Sequence, residues 1–139
     1  DVSDKRDQEL SAELIYEIFK KNYRDVEKKF DIPECHFQQR DGIDAVVTIE
    51  QDGKRTEAVG HGNGRLDAVS NALKAHFKIE YELTDYEQHA VSRTTSSKAM
   101  SYVSIMVDEQ IIWGAGLDED IIKSSIYALM AAINRSGLL

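Results

Sequence analysis

Gly60-His61-Gly62-Asn63-Gly64-Arg65-Leu66-Asp67-Ala68 is the stretch on which the fold turns. It follows a strand-like run, Arg55 to Gly60, and opens a helical pattern from about Leu66 to His76, with Val69, Leu73 and Phe77 on one face. Glycines at alternate positions allow a sharp bend that exposes backbone N–H groups. The first turn of a helix leaves such donors unpaired and carries partial positive charge, so a carboxylate or phosphate docks there. Asp67 stands one turn inside, within reach of an ammonium group. Donors for an anion beside a carboxylate for a cation suit a zwitterion, and a free amino acid is the simplest one. The plainer reading of the same residues is a tight strand-to-helix connection with an acid that favours the helix dipole.

Working outward, Ile43 to Gln51 alternates through Val47 and Ile49, and Asp52-Gly53 is a hairpin signal into the returning strand. Cys35 to Gln39 alternates weakly, and Pro33 marks the break before strands begin. Residues 1–10 are mostly polar or charged. Ser11 is placed to cap a helix to about Tyr23, striped by Leu14, Ile15, Ile18, Phe19 and Tyr23. Val26 and Phe30 extend that stripe through a short second helix.

Downstream the order repeats. Lys78 to Val91 reads as a long strand with Ile79, Tyr81 and Leu83 on one side, and residues 92–98 as a polar loop. Ala99 to Asp108 is a strand, Asp108-Glu109-Gln110 a turn, Ile111 to Gly114 a third strand, and Glu119 to Asn134 a helix. Gly60-x-Gly62 matches Gly114-x-Gly116, and Ala72-Leu73 matches Ala128-Leu129. The expected fold is α+β, with two pseudo-symmetric βββα units (about 31–77 and 78–137) preceded by an N-terminal helix. Residues 1–30 form the tail and lead-in, and 31–139 the domain.

Composition bounds the function. A chain of 139 residues is one domain's worth, and 42% hydrophobic with 30% charged residues is ordinary for a globular protein. A formal charge of −8 argues against a nucleic-acid partner. It disfavours in particular a double-stranded RNA module, whose helix–strands–helix order this chain partly matches. One cysteine, Cys35, excludes an internal disulfide and fits a reducing, cytoplasmic setting. No apolar run has membrane-spanning length and no signal-peptide pattern occurs. The chain opens on Asp1 rather than Met, as a fragment would.

His36, His61, His76 and His89 lack metal-ligand spacing on one helix, and Cys35 and His36 point apart in a strand, so no metal is expected. No nucleophile–base–acid set is visible, so no catalytic residue is expected. Trp113 reads as a core aromatic, and Ile122, Ile126, Leu129, Met130 and Ile133 as the core stripe of the last helix.

Gly60-x-Gly62-Asn63-Gly64-x-Leu66-Asp67-Ala68 with Asn71-Ala72-Leu73 resembles the C-terminal regulatory domain of 2-isopropylmalate synthase. Asp85-Tyr86-Glu87-Gln88-His89-Ala90 extends the resemblance, as do Trp113-Gly114-Ala115-Gly116-Leu117, Asp120-Ile121-Ile122 and Ala131-Ala132-Ile133-Asn134-Arg135. Leu14 to Phe19 resembles the helix that opens this domain in the long form of the enzyme. The matches keep the family's order from about 11 to 135.

The resemblance implies a homodimer that binds leucine and feedback-inhibits an attached barrel, which condenses acetyl-CoA with 2-oxoisovalerate. It implies no cofactor in this domain; a divalent metal belongs to the catalytic barrel. By the same resemblance, backbone at Gly62, Asn63 and Gly64 meets the effector's polar end, followed by Leu66, and Asp67 meets its ammonium. Leu83, Tyr86 and Ala90 line the side-chain pocket, Ser97 and Ala99 stand beyond the polar loop, and the Ile121 carbonyl approaches the amino group. Ser97 departs from the pattern, being polar where a small apolar residue is usual. Two alternatives stand beside leucine regulation. One is the isoleucine-sensing domain of a citramalate synthase; the other is a dimerisation module without a ligand. Leucine, isoleucine and valine are not ranked by sequence, because one methylene changes discrimination by only about 1–3 kcal/mol.

Overall fold

The computed structural model describes residues 29–90 and 99–139. The helix expected from Ser11, together with Val26, Val91, the 92–98 loop and Ser97, lies outside them. In chain order the elements are β1 (Asp31–Gln39), β2 (Ile43–Gln51), β3 (Lys54–Gly62) and α1 (Arg65–Phe77). The second set is β4 (Glu82–Ala90), β5 (Ala99–Val107), β6 (Gln110–Asp118) and α2 (Ile121–Ser136). Each trio of strands forms its own antiparallel sheet, ordered β1-β2-β3 and β4-β5-β6. This is the α+β fold of two βββα units.

Alternation decides which face of each sheet is covered. Ala45, Val47 and Ile49 on β2 are buried, while Asp44, Val46 and Thr48 between them are only partly covered. β5 is buried along both faces from Met100 to Ile105. α1 packs on β3 and β2, α2 packs on β6 and β5, and the two helices touch. One apolar cluster therefore spans both units, joining Val47, Ile49 and Leu73 to Val103, Leu129 and Ile133. Neither half has a separate core.

The paired glycines make these helix–sheet contacts possible. Gly60 and Gly62 pair with Ala45 and Ile43 on β2, and Gly114 and Gly116 with Val103 and Ser101 on β5. A Cβ on Gly60 would lie 2.1 Å from the Ala68 carbonyl oxygen, and one on Gly114 2.2 Å from that of Ala128. Helix and strand thus meet backbone to backbone. The chain bends at Asn63 and Gly64 but without left-handed glycines: positive φ among glycines occurs at Gly42, Gly53 and Gly137, not at Gly60, Gly62 or Gly64. These contacts also correct the internal alignment. Gly60 faces the Ala72 amide and Gly114 the Ala132 amide, so Ala72 corresponds to Ala132 rather than to Ala128.

Several boundaries differ from the sequence reading; β6, expected to end at Gly114, runs on to Asp118. Pro33 lies within β1, not before it; β1 is an edge strand with a register shift between Asp31 and Glu34, where a missing N–H breaks no ladder. Phe30 belongs to no helix and sets its ring 5.0 Å from Phe77. The strand expected from Lys78 starts at Glu82 instead. Lys78 caps α1 in the left-handed conformation (φ 55°) and donates its N–H to the Lys74 carbonyl. Tyr81 then folds back, its hydroxyl 2.8 Å from that of Ser70, and burial pushes its pKa up to about 12.

Candidate functional site

The two helices begin differently. α2 is capped: the Asp120 carboxylate accepts from the Ile122 and Lys123 amides at 2.8 and 3.3 Å, and Asp118 accepts from the Asp120 amide at 2.8 Å. α1 starts at Gly64, whose extended backbone carries no side-chain cap. The Gly64 carbonyl accepts from the Ala68 amide at 3.0 Å, which leaves the N–H groups of Arg65, Leu66 and Asp67 without intrahelical acceptors. They are directed outward at the positive end of the helix dipole.

A cleft of about 320 Å³ opens there. α1 contributes Gly64, Arg65, Leu66 and Asp67; β4 contributes Leu83 and Tyr86; α2 contributes Ile122, Ser125 and Ile126. The cleft therefore lies between the two units. Its volume is near the lower end for small-molecule sites. Leu66, Leu83, Ile122 and Ile126 make the walls apolar, and the exposed Asp67 carboxylate adds negative charge at the rim. An anion has donors, a cation has a carboxylate, and an aliphatic group has a wall.

Of the residues singled out from sequence, Gly64, Leu66, Asp67, Leu83 and Tyr86 come together in this cleft. Gly62 lies behind it, where a Cβ would approach that of Asp67 at 2.7 Å. Asn63 is exposed at the bend. Ala90 and Ala99 pair across β4 and β5, and Ala99 also pairs with Asp118 on β6. The Ile121 carbonyl, expected near the effector's amino group, lies 2.8 Å from the hydroxyls of both Ser124 and Ser125.

The α2 wall was missed from sequence. Ile122 and Ile126 were legible as an apolar stripe, but not which part of it borders a cleft. Ser125 inside that stripe was the available signal.

A neighbouring hollow of about 490 Å³ lies between β1 and α2 and shares Arg65, Ile122 and Ile126 with the cleft. The Arg65 guanidinium stands over the Phe37 ring there, 5.6 Å from its centroid. The hollow faces α2's capped end rather than the open N–H groups of α1. Among the described residues no group of three or more His, Cys, Asp or Glu side chains is placed to hold a metal ion. His61 pairs with Asp44 at 2.6 Å. Burial pushes the Cys35 thiol up to about 11, so it stays protonated and unreactive near neutral pH.

Comparison with known proteins bears on the whole chain. A family model described as the LeuA allosteric (dimerisation) domain matches residues 9–137. The 2-isopropylmalate synthase of Desulfitobacterium hafniense (strain Y51) is 40% identical over 134 residues, covering 96% of this chain and 24% of that protein. The enzyme of the same name from Helicobacter hepaticus is 34% identical, over 96% of this chain and 26% of its own length. That of Clostridium acetobutylicum is 31% identical, over 98% and 26%. The chain spans about a quarter of the length of these relatives. With its two βββα units and a match over nearly its full length, the chain belongs to the LeuA allosteric (dimerisation) domain family.

Proposed function

We propose that this domain dimerises and binds leucine in the cleft at the start of α1, as the feedback-regulatory part of a 2-isopropylmalate synthase. The observation that carries the reading is the uncapped α1 terminus facing apolar walls with Asp67 at the rim. The effector's carboxylate accepts from the open N–H groups of the first turn, a contact worth about 0.3–1 kcal/mol when exposed and up to ~2 when partly buried. Its ammonium pairs with Asp67. Its side chain leaves water against Leu66, Leu83, Ile122 and Ile126, gaining roughly 1.5–3 kcal/mol. Polar ends set the orientation and the aliphatic end adds affinity.

The cleft is built from α1, β4 and α2, so an occupant touches both units at once. A ligand regulates only if it binds one arrangement better than another, and a coupling of about 1–3 kcal/mol is typical. The chemistry it restrains, condensation of acetyl-CoA with 2-oxoisovalerate, belongs to an attached barrel with its own divalent metal. This domain supplies neither catalytic residues nor a cofactor. No helix among the described residues is long and apolar enough to cross a membrane, which accords with a cytoplasmic biosynthetic role.

A thermal-shift screen across the twenty amino acids tests the reading. Leucine at a hundredfold excess over its Kd stabilises the fold by about 2.7 kcal/mol and raises Tm. Asp67→Ala leaves Tm without ligand unchanged and lowers leucine affinity roughly tenfold, the ~1.4 kcal/mol of a lost exposed-to-half-buried charge contact. A melting point indifferent to every amino acid sinks the proposal. A larger shift with isoleucine reassigns the domain to the citramalate synthase type.

A further inference from the structure

A chain of hydroxyl groups runs from the interior of the second unit to the wall of the cleft. Ser101 on β5 lies 2.7 Å from the Ser124 hydroxyl and 3.2 Å from that of Ser125. All three serines are buried. Ser125 continues to the Tyr86 hydroxyl at 3.0 Å, and Gln88 reaches that hydroxyl and, at 3.3 Å, Ser125. Each hydroxyl has one proton, and the Ile121 carbonyl can only accept. With the Ser124 proton on that carbonyl, Ser101 donates to Ser124, and the Ser125 hydroxyl donates to that of Tyr86. The Gln88 amide donates to the Tyr86 oxygen. The Tyr86 hydroxyl thus accepts from both Ser125 and Gln88 within the protein, and its ring lines the cleft.

That ring needs a tether. Tyr86 is 40% exposed on β4, and so half-open an aromatic is held in one rotamer only weakly by packing. The bond to Ser125 ties it across the cleft to α2, between Ile122 and Ile126. We propose that Ser125 is a specificity-determining positioning residue. By holding the Tyr86 ring near the α2 wall it sets the width of the cleft's apolar end, and so which aliphatic amino acid fits. This rests on the cleft being the amino-acid site. It adds a residue that needs no contact with the ligand to choose it.

Ser125→Ala and Tyr86→Phe delete the same hydrogen bond from its two ends. Calorimetry on the 139-residue chain gives the affinities of each variant and the parent for leucine, isoleucine and valine. The parent's preference for its best ligand over the other two, on the order of tenfold, falls to about twofold in either variant. The double variant discriminates no worse than the singles, because one bond is lost only once. A preference unchanged in both variants, or an equal loss for all three amino acids, overturns the role of Ser125 and leaves the cleft assignment standing. A parent that binds none of the three overturns the cleft assignment, and this role with it. Should Ser125→Ala fail to fold, Tyr86→Phe decides, since its hydroxyl lies at the rim.

Discussion

The two units share an architecture and differ most clearly at the start of the helix. In the second unit Asp120 closes the first turn of α2 with its own carboxylate. In the first unit Gly64 leaves the same turn open, and the cleft forms over it. Helix ends need partners for their backbone groups, so an open first turn beside an apolar cleft can take an outside acceptor. On the proposed function, one copy of the repeated scaffold is closed by its own side chain and the other is open to a ligand.

Where the units agree, equal damage is expected. Gly60→Ala and Gly114→Ala each force a methyl group against helix backbone at 2.1 and 2.2 Å, so each costs about 3 kcal/mol in urea unfolding. Unequal losses would mean that one helix can move away from its sheet and the other cannot. This pair also marks the limit of sequence reading. Gly-x-Gly was legible as a repeat, and its position before each helix was legible too. Its purpose was not, because a glycine that relieves a bend and one that admits a helix look alike until the partner backbone is in view.

Where the units differ, the effects should diverge. Asp120→Ala removes the α2 cap and lowers stability by about 1 kcal/mol. The converse change, Gly64→Ser, gives α1 a cap of its own. Its extended backbone accepts any residue, and a new Cβ would find only the Asp67 carboxylate, 3.9 Å away. Stability then rises by a few tenths of a kcal/mol, while leucine affinity drops roughly tenfold as the hydroxyl takes an amide from the ligand. Calorimetry beside thermal melts separates the two. If affinity survives the new cap, the open amides do not hold the effector.

The hairpins give the smallest contrast. Asp52-Gly53 and Asp108-Glu109 both turn with two left-handed residues, but the second places Glu109 at φ 67° where the first has glycine at φ 77°. Glu109→Gly should stabilise the domain by roughly 0.5–1 kcal/mol through relief of that strain, read as a higher urea midpoint with an unchanged slope. No change would mean that Glu109 makes a compensating contact in the turn.

The strands of β2 and β5, the Asp52-Gly53 turn, the helical stripes and the doubling of the pattern were all present in the sequence. Each depends on neighbours within a few residues, and backbone geometry imposes periods of 2 and 3.6 on any chain that buries one face. Pro33 misled because a proline stops a central strand but not an edge, and which strand is the edge is a property of the sheet. Tyr81 misled because its partner, Ser70, lies in the preceding helix. The open first turn of α1 was local too, since Gly64 has no side chain to cap it where Asp120 caps α2. Tertiary structure alone decided that Leu83 and Ile122 would line one cleft and that Tyr86 would meet Ser125. Those outcomes depend on how two sheets and two helices pack over one shared core, and contacts between residues so far apart in the chain leave no periodic trace along it.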